Sequence, residues 1–253
     1  LARILTERGL MGSRIGTMAI ACAAVDDVTA WSVLALVSLM ARPGLGHVLL
    51  LARFLALVAY TVLMVTGVRR ALRPMAKRSA GEAFPLTMLF LLVSSLVTES
   101  LGVHAVFGAF LAGAVMPKER AAELSDRIHA VTMILFVPLF FAITGLRTRL
   151  DLVHGIKGWL ECALIVAVAI VGKLFGCALA ARATGMSGRE ALAIGALMNT
   201  RGLMELILLG IGLDLGLVSP ALFSMMVLMA LVTTFMTAPL LGWIGPPLRA
   251  SAR

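Results

Sequence analysis

Apolar residues run along this chain in eight long stretches, at 15–41, 46–69, 84–101, 103–117, 129–146, 157–182, 189–212 and 217–243. Short polar segments separate them. A predominantly apolar run of about 17–25 residues crosses a bilayer as a helix. The pattern therefore predicts an all-α, polytopic membrane helix bundle of about eight spans, organised as a single transmembrane domain over 1–253. The fourth stretch, GVHAVFGAFLAGAVMP, is short and glycine-rich. It is predicted to be a buried helix packed through Gly108, Ala109, Ala112 and Gly113. The seventh is interrupted at Asn199, Thr200, Arg201 and Gly202, where polar residues fall at mid-membrane depth. A broken helix is expected near 199–202, because freed backbone groups at that depth are tolerated only where they line a cavity or are buried in protein.

Composition agrees with the pattern. The chain is 60% hydrophobic and 14% charged, and its mean hydropathy is +1.02. A soluble domain has about 45–50% apolar and about 25% charged residues. The net charge of +9 has a topological explanation. With both termini placed inside, the inner segments hold fifteen Lys and Arg residues and the outer segments four, while Arg53, Lys173 and Arg201 stay within spans. This is the positive-inside bias. It puts the C-terminus in the cytoplasm and removes the need for a nucleic-acid partner. Cys22, Cys162 and Cys177 all lie in apolar stretches and read as small buried hydrophobes. Residues 1–14 begin without Met and lack the apolar run and cleavage site of a signal peptide. The chain is therefore expected to be a piece whose beginning lies further upstream.

Few charges fall within the spans, and intramembrane ionisable groups usually mark ion or proton pathways. Asp26 and Asp27 sit together in the middle of the first stretch. A carboxylate at that depth costs about 2.5–3.5 kcal/mol on insertion scales, and two adjacent ones repel if both ionise. Consecutive helical residues point about 100° apart. One carboxylate can hold a cation while the other pairs with a fixed base; capping or interfacial roles are the alternative. Lys173, deep in LIVAVAIVGKLFGCALAA, pairs with a carboxylate, sheds its proton or snorkels to an interface. Arg201 and Glu205 are spaced i, i+4, so they either serve the break or simply pair along one face. Glu99 reads equally well as a cap. The four histidines show no metal-ligand spacing. No phosphate-binding glycine loop, haem motif or hydrolase elbow is present, so no enzyme activity, cofactor or resident metal is expected.

The segments AAVDDVTAW, GVHAVFGAFLAGAVMP, FFAITGLRTRL, VGKLFG and MNTRGLMELILLGIG, in this order, resemble the monovalent cation:proton antiporters, closest to the bacterial potassium-efflux and sodium/proton exchanger branch. The resemblance covers almost the whole chain. It implies a multi-pass protein of the bacterial inner membrane, homodimeric at full length, with two inverted repeats whose broken helices cross near the midplane. By that resemblance Asp27 is the cation- and proton-binding carboxylate, and Asp26 its neighbour, paired with Lys173. Asn199 to Gly202 are the unwound part of one crossing helix, and Glu205 lies just beyond it. The family has further spans ahead of the Asp-Asp helix, including the other broken helix, so the chain corresponds to the C-terminal part of the fold. The implied function is secondary active exchange of Na⁺ or K⁺ for H⁺ by alternating access. The alternatives are a gated K⁺ efflux pathway, or a truncated or degenerate antiporter piece without transport of its own.

Overall fold

The computed structural model describes residues 1–40, 47–74 and 80–245, and the described residues are helical with no strand. Arg42, Lys77, Arg78, Arg249 and Arg253 from the charge map lie outside them. The helices are α1 (Ala2–Glu7), α2 (Arg14–Met40), α3 (Val48–Ala71), α4 (Ala80–Leu101), α5 (Ala105–Val115), α6 (118–147), α7 (Gly155–Ala183), α8 (Gly188–Met198), α9 (Leu203–Asp214) and α10 (Pro220–Ile244). Six of the helical stretches are long and apolar enough to cross a membrane, and α8 with α9 forms a further bent pair. With α5 these account for the eight apolar stretches one for one. At 11 residues, however, α5 rises only about 16 Å, roughly half of a bilayer core.

The chain forms two compact units, Leu1–Thr29 with Thr144–Arg253, and Ala30–Ile143. In the second unit, α4 and α5 pack as a tight pair. Gly108 is the contact point: a Cβ there would overlap the Ser94 carbonyl oxygen and the Thr98 hydroxyl. The Ser94 hydroxyl donates to the Gly108 carbonyl at 2.7 Å and accepts from the Tyr60 hydroxyl at 2.8 Å. Ala112 is also buried, but Gly113 faces open space, so the expected small-residue contact is narrower than its sequence. The polar run KERAAELSDR, expected as a loop before the fifth stretch, instead continues α6 towards the N-terminus. Glu123 pairs there with Arg120 and, at 3.1 Å, with Arg127; such i, i+3 and i, i+4 pairs support the helix along one face.

In the first unit, α8 is buried along nearly its whole length, at Ala191 and from Ala193 to Met198. It packs with Ile15 and Ala19 of α2, Ala181 of α7 and Leu241 of α10. Small residues allow this approach, since packing between apolar helices in a membrane is driven by close contact. A Cβ at Gly195 would overlap the Leu174 carbonyl oxygen, so glycine is required where α8 touches α7. Ser187 starts α8 with a capping box: its hydroxyl accepts from the Glu190 amide, and the Glu190 carboxylate accepts from the Ser187 amide at 2.9 Å.

Candidate functional site

Within α7, residues Val171–Phe175 form a π-helical turn that carries Lys173. Such turns widen a helix by one residue and recur at functional sites. Lys173 Nζ donates to Asp26 Oδ2 at 2.5 Å. The snorkelling alternative is thereby set aside: the ammonium is held by a carboxylate of α2. The pair is not sealed, with side-chain exposures of 30% for Lys173 and 50% for Asp26. Asp27, one residue on, is partly buried and makes no ion pair or hydrogen bond among the described residues.

Asp26, Asp27 and Lys173 line a cavity of about 210 Å³ together with Thr200, Gly202 and Glu205, its remaining wall being mainly apolar. This volume has room for several waters, enough for a small cation to enter with part of its hydration shell. Among the described residues no cluster of three or more His, Cys, Asp or Glu side chains could hold a metal ion. Glu99 serves as a cap: its carboxylate accepts from the Ala105 amide at 2.9 Å at the start of α5.

The break lies where the sequence placed it. α8 ends at Met198, α9 begins at Leu203, and the two bend by 41°. Gly202 is extended, at φ −121° and ψ −178°, a conformation open to any residue. Its glycine is therefore not demanded by the backbone. The five residues expected at the break separate in space. Thr200 and Gly202 face the cavity, as does Glu205. The Arg201 guanidinium pairs with Glu205, so the local i, i+4 pair is formed and Glu205 reaches the cavity already engaged. Asn199 is wholly buried and does not line the cavity, and its side-chain Nδ2 and Oδ1 have no hydrogen-bond partner among the described residues.

α10 also reaches the break, through hydroxyls that its apolar sequence does not single out. Thr234 Oγ1 accepts from the Arg201 amide at 3.2 Å and donates to the Arg201 carbonyl at 3.0 Å, and Thr200 Oγ1 donates to Thr237 Oγ1 at 3.2 Å. The available signal was TTFMT, three hydroxyls close together in an apolar run. Thr29, Thr61 and Thr87 bond only to carbonyls of their own helices, so that signal by itself was weak.

This arrangement can hold a cation against one free carboxylate, beside a fixed ion pair and an unwound backbone. Residues 1–244 match the model of a family described as sodium/hydrogen exchanger, transmembrane. The chain belongs to the sodium/hydrogen exchanger family. It is thus a multi-pass membrane protein of a transporter family. Similar proteins include the Na⁺/H⁺ antiporter NhaS4 of Synechocystis sp., 40% identical over 97% of the chain and 62% of the relative. Cation/H⁺ antiporter 17 of Arabidopsis thaliana is 38% identical over 95% of the chain and 30% of its own length. K⁺/H⁺ antiporter 1 of Saccharomyces cerevisiae is 33% identical over 97% of the chain and 29% of its own length. This exchanger-family chain therefore spans less than two thirds of the first relative and under a third of the other two.

Proposed function

We propose that the protein exchanges a monovalent cation, Na⁺ or K⁺, for protons by alternating access, with Asp27 as the shared binding group. The observation that carries this reading is the unpaired Asp27 in a cavity of about 210 Å³ between the Asp26–Lys173 pair and the unwound segment. The names of the relatives, all cation/H⁺ antiporters, support the same class of reaction.

Ionised Asp27 attracts a cation, and the two break residues Thr200 and Gly202 offer backbone and hydroxyl oxygens across the cavity. Once the site faces the opposite side, protons compete for the same carboxylate. A carboxyl group that holds a proton has lost the charge that binds the cation, so each species must leave before the other enters, and exchange follows. Asp26 stays engaged with Lys173 and does not compete for the cation. If Lys173 gives up its proton as the cation binds, more than one proton is exchanged per cation and the cycle moves net charge. In this reading the protein works in the bacterial inner membrane with a cytoplasmic C-terminus, as a homodimer at full length.

The test is reconstitution of the complete protein in vesicles. A pH gradient should drive Na⁺ or K⁺ against its own gradient, and Asp27→Asn, nearly the same size, should abolish this while the protein still folds. Full exchange by Asp27→Asn would sink the assignment. Cation flow that only runs downhill would identify a gated pathway instead. A rate indifferent to membrane potential would count against proton release from Lys173.

A further inference from the structure

We infer that Thr234 of α10 is a positioning residue for cation binding, through a two-point clamp on the unwound backbone at Arg201. In an uninterrupted helix the Arg201 amide would bond to the carbonyl four residues back, and its carbonyl would accept from the amide four residues on. The break removes both partners, and at membrane depth neither group can turn to bulk water. A hydroxyl is both donor and acceptor. Thr234 uses both capacities on one peptide unit, accepting from the Arg201 N–H at 3.2 Å and donating to its C=O at 3.0 Å. Thr237, one turn further along α10, accepts from Thr200 at 3.2 Å.

The neighbouring threonine behaves differently. Thr233 donates only within its own helix, to the Met229 and Ala230 carbonyls at 2.8 and 3.1 Å. Thr234 thus spends its hydroxyl across the packing interface, 33 positions away in sequence. The post it stands on is packed into the protein, with Met229, Ala230, Thr233 and Thr237 around it all buried. The clamped residue is flanked by Thr200 and Gly202, which face Asp27 across the cavity. Releasing the clamp lets that wall shift relative to Asp27, which alters how well the cation is held more than how fast the carrier turns over.

This inference rests on the proposed exchange at Asp27. The experiment measures pH-gradient-driven cation uptake by the complete protein in vesicles, as a function of cation concentration and pH. Thr234→Val keeps the side-chain shape and deletes the hydroxyl. It removes both hydrogen bonds to Arg201, and a rise of roughly fivefold in the apparent KM for the cation, equivalent to about 1 kcal/mol, is expected with Vmax little changed. Thr234→Ser should restore the wild-type KM, and Thr233→Val should leave it unaltered. Thr237→Val should raise KM in the same sense, and it carries the test if Thr234→Val does not fold. Wild-type KM and pH profile in both Thr234→Val and Thr237→Val would overturn the inference, as would failure of Thr234→Ser to restore binding or an equal effect of Thr233→Val. Absence of uphill exchange by the wild-type protein would overturn the exchange reading itself, and the inference with it.

Discussion

Breaking the Asp26–Lys173 pair should destabilise the protein, and the two residues should be coupled measurably but modestly. At about 4 Å, the ordinary reach of an ion pair, two unit charges attract by about 4 kcal/mol at an effective dielectric of 20. Desolvation and the ordering of a long lysine side chain take back most of that. The remaining side-chain exposures of 30% and 50% place the pair between a surface bridge, worth about 0–1 kcal/mol, and a sealed one, whose rupture costs about 3–5 kcal/mol. A net coupling of about 1–2 kcal/mol is therefore expected. Lys173→Ala should cost about 1–3 kcal/mol through the stranded Asp26. Asp26→Asn should cost a similar amount through the stranded ammonium. The double variant should cost less than the sum by the coupling energy. The assay is equilibrium unfolding of the complete protein in mixed micelles for all four members of the cycle. Additivity within about 0.5 kcal/mol would refute the pairing as an energetic element of the fold.

Substitutions at three positions test the packing around the site. Gly195→Ala should destabilise the protein by about 1–3 kcal/mol, because the new methyl group overlaps the Leu174 carbonyl and forces α8 away from the π turn that carries Lys173. Gly172→Ala in that same turn meets nothing within 4 Å, so it should be neutral or slightly stabilising in the same unfolding titration. Ser187→Ala should cost about 1 kcal/mol by removing the cap of α8, and Ser187→Asp should retain most of that stability.

The site was partly legible because burying a charge in an apolar run is costly. Asp26, Asp27 and Lys173 stood out for that reason, and so did the polar interruption at 199–202. The pairing of Asp26 rather than Asp27 with Lys173 was implied by family resemblance, while the residue chemistry itself allowed either. The π turn was not legible, since an extra residue per turn leaves no mark on an unbroken apolar run. Nor was the Thr234 clamp: a threonine in an apolar helix usually bonds to its own carbonyls, and only the approach of a broken backbone turns that hydroxyl outward.

By itself, the sequence determined that the chain crosses a membrane, roughly where each helix lies, and which polar groups are too costly at mid-depth to be incidental. Hydropathy measures transfer out of water, and that quantity is the same for a helix facing lipid as for one facing protein. Only the tertiary structure separated the two cases. The most apolar 18-residue stretch of α7 is more hydropathic than that of α10, yet 11% of it is buried against 44% for α10. The difference comes from close packing and a few hydrogen bonds between helices, which depend on which small residues and hydroxyls meet in space, and no single stretch of sequence contains that information.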